Sequence, residues 1–221
     1  MLKVDYKLLL ERLKRYSGPI EIHITVKLEN TESAKRGFLD ACKSNQGKAI
    51  WIELDKGETI NQPMYGVRLN STAEEYIKRI ESLVDVFNQN FLVNRVKIEA
   101  GPKNMNIPKS SDEAKDEPID CYFEHHVELR LDVGADLEKL KSDLSRYSGY
   151  VSRNAFKIET ETGTHTRFVT QRFLNLGDGE ADDKLAELIS YVEDENIEIA
   201  SVEREYNIFD SNFNLDNGWM L

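Results

Sequence analysis

Four polar residues alternate along one short stretch of this chain, Glu124, His126, Glu128 and Arg130, with His125, Val127 and Leu129 between them. Successive side chains of an extended strand point to opposite faces, so the four share a face. The same alternation puts Arg153 and Lys157 on one face of a later segment and Thr170 with Arg172 on one face of the next. It also sets Glu203 and Glu205 opposite Ala200 and Val202. Arginine presents a planar fork of donors suited to phosphate or carboxylate. Arg130, Arg153, Lys157 and Arg172 are therefore a candidate anion-binding set, with Glu124, Thr170 and Glu205 alongside. An imidazole near its natural pKa needs only a carboxylate neighbour to be tuned, so His126 is a candidate general base oriented by Glu124 or Glu128. His126 and Glu128 form the candidate catalytic pair.

The same residues fit simpler arrangements. A solvated face with cross-strand ion pairs, each contributing about 0.2–1 kcal/mol, needs no ligand. If two such sheets face or flank each other, the charges become an internal network and every one of them needs a partner. No metal is expected: adjacent His125 and His126 point to opposite faces of a regular strand, and Cys42 and Cys121 have no metal-like spacing. The sequence has no P-loop, GxGxxG, GxSxG or HExxH string, so no cofactor is expected and catalysis has no motif behind it.

These residues sit within a pattern that occurs twice. Ile22-His23-Ile24-Thr25-Val26-Lys27-Leu28 lies over His125-His126-Val127-Glu128-Leu129-Arg130-Leu131, which pairs His23 with His126 and Lys27 with Arg130. Gly57 falls over Gly163, and Arg68 over Arg172. In both copies an alternating strand is followed by a helical stripe, Ala34, Phe38, Ala41 and Cys42 in one and Leu137, Leu140, Leu144 and Tyr147 in the other. A hairpin comes next, Ala49 to Leu54 with Met64 to Asn70, and Val151 to Ile158 with Arg167 to Leu174. The second helix of the first copy opens on a capping box, Thr72-Ala73-Glu74-Glu75, and carries Ile77, Ile80, Val84 and Phe87 on one stripe. Leu185, Leu188, Ile189 and Val192 answer them. A last strand closes each copy, Leu92 to Ala100 and Glu198 to Phe209.

The order βαββαβ with right-handed crossovers predicts an α+β fold of tandem duplicated ferredoxin-like units, each an antiparallel sheet with both helices on one face. The expected divisions are an N-terminal helix in 1–19, a first repeat in 20–107, an exposed linker in 108–119, and a second repeat with its tail in 120–221. The first copy's open face would carry His23, Thr25, Lys27, Trp51, Glu53, Arg68, Arg95, Lys97 and Glu99. Phe213, Leu215 and Trp219 are too apolar for a floppy terminus and predict a tail that packs back on the fold.

A net charge of −11 argues against nucleic-acid binding through phosphate contacts. No run approaches the roughly 18 apolar residues of a membrane span, and the first residues lack the core and cleavage site of a secretory signal. A cytoplasmic protein with two free thiols is expected. A homo-oligomer assembled through sheet faces or edges stays open.

The second copy resembles a family of uncharacterised bacterial proteins with tandem ferredoxin-like repeats. The strings that carry the likeness are Phe123-Glu124-His125-His126-Val127, Ser152-Arg153-Asn154, Arg167-Phe168-Val169-Thr170-Gln171-Arg172, Asp210-Ser211-Asn212 and Asp216-Asn217-Gly218-Trp219. The resemblance covers about half the chain and implies that the polar strand residues and the tail form one shared pattern, with no assigned activity. A second likeness is architectural, to enzymes that act on triphosphates inside a tunnel of charged side chains. Glu21-Ile22-His23-Ile24-Thr25 stands where their ExExK signature would be sought, which argues against metal-dependent triphosphate chemistry. The leading expectation is binding of a small anionic or phosphorylated ligand on the charged sheet face. The alternatives are an enzyme using His126 and Glu128 on a phosphorylated or carboxylated substrate, or a structural module.

Overall fold

The computed structural model describes residues 2–16, 18–101, 103–104, 106–157 and 164–220. After a first helix α1 (Tyr6–Arg15), the chain runs through β1 (Ile20–Lys27), α2 (Glu32–Ser44), β2 (Lys48–Leu54), β3 (Asn61–Leu69), α3 (Ala73–Asn88) and β4 (Leu92–Ala100). A one-turn helix α4 (Ser111–Ala114) leads to β5 (Tyr122–Asp132), α5 (Leu137–Ser145), β6 (Tyr150–Asn154), β7 (Thr164–Phe173), α6 (Asp178–Asp194) and β8 (Glu198–Asp210). The fold is thus α+β with antiparallel pairing throughout, and the order βαββαβ occurs twice. Ile158 and Gly163 of the expected second hairpin lie outside the described residues.

Alternation decides which face each strand buries. Ile20, Ile22, Ile24 and Val26 of β1 are at most 1% exposed and pack under α2 and α3, while Glu21, His23 and Thr25 point the other way. The capping box at Thr72 and Glu75 forms as expected and starts α3, whose Tyr76, Ile80, Leu83, Val84 and Phe87 enter the same core. α1 extends this core with Leu9 and Leu13. A second, smaller core lies under α5 and α6, built on Val127, Leu129, Leu144, Val169 and Leu188.

The two four-stranded halves join at both edges. β2 pairs with β6 through Ile52↔Asn154, Glu53↔Arg153 and Leu54↔Ser152, and β4 pairs with β8 from Lys97↔Asp210 to Ala100↔Tyr206. The strands therefore close into one barrel, β1-β3-β2-β6-β7-β5-β8-β4. Closure leaves no unpaired edge. It also turns the faces away from the helices into a lumen, so the polar face is an internal network rather than a solvated surface.

Three expectations change. Trp51 and Glu53 do not lie on the lumen face. Trp51↔Pro63 and Ala49↔Tyr65 place that parity under the helices, where Trp51 meets Phe156 edge-on at 5.7 Å and Lys35 of α2 at 5.5 Å. A bulky aromatic ring overrides simple transfer of parity from one strand to the next. Arg153, registered on Glu53, goes with it to the outer side. The segment 108–119 is not simply exposed: Ile107, Pro108 and Ala114 are buried, Pro108 accepts a hydrogen bond from Asp178 N at 3.0 Å, and Ser110 backs directly onto Gly177.

The tail does pack back. A 3-10 turn at Phe213–Asp216 buries Leu215 and Asp216, and Trp219 is 6% exposed. It is held at the β2–β3 turn, where Glu58 N donates to Asn217 O at 3.0 Å. Gly57 (φ 114°) and Gly218 (φ 77°) both lie in left-handed territory, and a Cβ at 218 would meet Gly57 Cα at 3.2 Å. Only glycine is unstrained at both positions. No helix among the described residues is long and apolar enough to cross a membrane. Gly218→Ala should lower stability by about 1–2 kcal/mol, the cost of forcing a side chain into this backbone region, and should speed proteolysis of the tail. Chemical denaturation and limited proteolysis against the parent chain measure both.

Candidate functional site

Strand parity fills the lumen with ionisable side chains. At the end covered by the tail, Arg95 of β4 bridges Asp210 at 2.5 Å and Asp216 at 3.1 Å, and Tyr122 of β5 donates its hydroxyl to Asp210 at 2.9 Å. Arg172 of β7 reaches Glu124 and Asp216, each at 2.7 Å, while its guanidinium stacks over the Tyr122 ring at 4.4 Å. Gln62 of β3 donates to Asp216 at 2.9 Å. Lys97 then links Glu124 to Glu99, the latter at 2.5 Å. Three buried cations, Arg95, Lys97 and Arg172, thus face four buried carboxylates, Glu99, Glu124, Asp210 and Asp216, which leaves negative charge in excess.

That excess increases toward the other end of the network. His23 Nε2 lies 3.3 Å from both Glu21 and Glu99, and His126 Nε2 lies 3.4 Å from Glu124 and 3.6 Å from Glu205. A cavity of about 320 Å³ opens there, lined by Glu21, Arg68, Glu99, Glu203 and Glu205. The lumen residues match between halves. Glu21 and His23 on β1, Arg68 opposite Glu21 on β3, and Glu99 opposite Glu21 on β4 correspond to Glu124, His126, Arg172 and Glu205. The two sets have different surroundings. Arg172 is sealed in by the tail, whereas Arg68 is exposed and makes no ion pair among the described residues.

Burial and neighbouring charge act together on these groups. Burial pushes the carboxyl of Glu124 up, but Lys97 and Arg172 overcome it and hold the group well below the usual carboxylate range. Asp216 is brought down to about 2, because Arg95 and Arg172 outweigh the cost of burial. Glu205 goes the other way: burial, reinforced by Glu99, raises it well above an ordinary glutamate. The His23 imidazole is raised despite its burial, because Glu99 and Glu21 favour its charged form. His125, on the helix side, is lowered to about 4 by burial.

The expected site residues divide accordingly. Glu124, His126, Thr170, Arg172 and Glu205 come together, with His126 Nδ1 2.9 Å from Thr170 Oγ1. Arg130, Arg153 and Lys157 do not join them. Arg130 sits at the strand end paired with Glu198 at 2.7 Å, both more than half exposed. Arg153 is on the outer side with Glu53, and Lys157 is held by Glu128 and packs over Phe168 at 4.9 Å. Glu128 also accepts from Ser201 at 3.1 Å, so it is committed away from His126. An anion site built on Arg130, Arg153, Lys157 and Arg172 is therefore not assembled. Alternation had marked His23, Arg68, Arg95, Lys97 and Glu99 as face residues. Asp210 and Asp216 stand in the strings that carry the family resemblance, but alternation gave them no role: Asp210 reaches Arg95 from the end of β8, and Asp216 from the folded-back tail.

No protein-family model and no curated protein sequence matches the chain. Solved structures with some likeness include a candidate chlorite dismutase, with 8% identity and a TM-score of 0.31 over 86% of this chain and 94% of that one. A candidate monooxygenase from Lactobacillus acidophilus has 10% identity and a TM-score of 0.28 over 88% and 95%. Another from Fusobacterium nucleatum has 12% identity and a TM-score of 0.25 over 87% and 92%. Similarities this low transfer no activity.

Removing one partner of a buried pair strands a charge, so Arg172→Ala should cost about 3–5 kcal/mol, against less than about 1 kcal/mol for Arg130→Ala on the surface. Denaturant midpoints read the difference. Asp216 has a lowered pKa, so its contribution is complete above its ordinary value of 3.8 and is lost as pH falls toward about 2. An acid titration followed by Trp219 fluorescence should show the tail releasing in that window, and Asp216→Asn should remove this transition.

Proposed function

We propose that this chain binds a small positively charged ligand in the mouth of its barrel. The observation that carries this reading is the cavity wall: Glu21, Glu99, Glu203 and Glu205 against Arg68 as the one uncommitted cation among the described lining residues. The other arginine at the wall, Arg204, is engaged by Asp178 and Asp182. A concave site rimmed by one sign of charge concentrates ligands of the opposite sign. The anionic-ligand reading has less support, because Arg153, Lys157 and Arg172 each already hold a carboxylate and do not converge.

A second reading is enzymatic. His126 stands between Glu124 and Glu205, of which Glu205 lines the cavity, and would serve as the general base with Glu205 in the place expected of Glu128.

We also infer that the two halves descend from one duplicated ferredoxin-like unit. The repeated element order and the matching of Glu21, His23, Arg68 and Glu99 with Glu124, His126, Arg172 and Glu205 support this. Cys42 and Cys121 are buried free thiols, in keeping with a cytoplasmic setting.

Thermal melts test the main reading. At a concentration about a hundredfold above its Kd, a ligand adds about 2.7 kcal/mol to the folded state. Putrescine should therefore raise Tm by several degrees in the parent chain and much less in Glu203→Gln. A rise with inorganic phosphate and none with putrescine would overturn the proposal.

A further inference from the structure

We propose that Glu99, His126 and Glu205 form a binding site for a divalent transition-metal ion at the mouth of the barrel. This deepens the cation-binding reading and rests on it. The three residues come from β4, β5 and β8, neighbours around the barrel, and one ligand atom from each lies within 4.8 Å of the others. Ligands about 2.0–2.2 Å from an ion lie no more than about 4.4 Å apart, so small side-chain rotations close the set. The site spans the two halves, with one carboxylate from the first and an imidazole and a carboxylate from the second.

Two further observations point to an ion. Glu99 is 1% exposed and lines the cavity, yet neither of its oxygens receives a well-directed hydrogen bond; its contacts are ionic, with Lys97 at 2.5 Å and His23 at 3.3 Å. The second observation is the support behind His126. Nδ1 lies 2.9 Å from Thr170 Oγ1, and Nε2 faces Glu124 and Glu205; in the tautomer with Nδ1–H donating to Thr170, the ring would offer its Nε2 lone pair to an ion. A hydrogen bond at the far nitrogen is how a metal-binding imidazole is usually oriented.

The donor set narrows the ion. One imidazole and two carboxylates suit Mn²⁺, Fe²⁺ or Zn²⁺, whereas Mg²⁺ favours an all-oxygen octahedron rich in water. Three protein ligands leave positions that face the cavity, where water or a donor atom of a second ligand would complete the sphere. Arg68 and Glu203 border that space. Thr170 is then a positioning residue, acting through His126.

The test is titration of the chelator-treated full chain with Mn²⁺ and separately with Zn²⁺, followed by calorimetry and, for Mn²⁺, by electron paramagnetic resonance. One ion per chain is expected. Glu205→Gln and His126→Ala should each weaken binding by about 100-fold or more, and Thr170→Val by about 10-fold. Circular dichroism melts establish that the variants fold; should His126→Ala fail to, the isosteric Glu205→Gln carries the test. Absence of metal binding by the parent chain, or unchanged affinity in either folded ligand variant, overturns the site. If putrescine stabilises the parent chain but not Glu203→Gln while neither metal binds, the metal site falls and the cation-binding reading stands. If no cation binds, both fall.

Discussion

Everything in this molecule follows from burying an ionic sheet face inside a closed barrel. Each half has one face for its helices and one that it cannot leave half-covered, because a charge moved out of water without a partner costs several kcal/mol. Pairing β2 with β6 and β4 with β8 removes four strand edges and encloses that face at once. The enclosed charges must then satisfy one another, and the chain from Asp210 through Arg95, Asp216, Arg172, Glu124 and Lys97 to Glu99 does so. Such a network is a weak source of stability compared with an apolar filling, but it tolerates few alternative arrangements.

The tail is part of the same solution. Without Asp216, Arg95 and Arg172 would each lose a carboxylate in a site almost sealed from water. The positive-φ pair Gly57 and Gly218 lets the tail backbone come close enough to the β2–β3 turn to deliver that group. At the mouth no equivalent plug is present among the described residues, and Arg68 stays exposed where its counterpart Arg172 is enclosed. The two halves thus differ: one end is neutralised from within, and the other keeps its acidic surplus beside a cavity.

Much of this was legible in the sequence, for identifiable reasons. The doubled βαββαβ order, the His23–His126 and Arg68–Arg172 correspondences and the capping box at Thr72 rest on local periodicity, which short-range sterics impose strongly. The grouping of Glu124, His126, Thr170, Arg172 and Glu205 followed from alternation alone. Parity failed on β2, because Trp51 is drawn to the helix side where Phe156 and Lys35 can pack on it. Arg153 followed its partner Glu53 to the wrong face for an anion site. Alternation could not assign Asp210 and Asp216 a partner, although both stand in the strings of the resemblance: pairing of β8 with β4 brings Asp210 to Arg95, and fold-back of the tail brings Asp216. The edge-to-edge closure was one of two packings that alternation allowed, and long-range pairing of β2 with β6 decides it.

The buried ionic lumen is tested most directly by a double-mutant cycle between Arg172 and Asp216, which are separated in sequence but joined at 2.7 Å. Stability measured for Arg172→Met, Asp216→Asn and the pair should give a coupling energy above about 1 kcal/mol, as for residues sharing a buried charge network. A coupling energy indistinguishable from zero would mean that the tail does not close the barrel on Arg172, and the enclosed network would have to be abandoned.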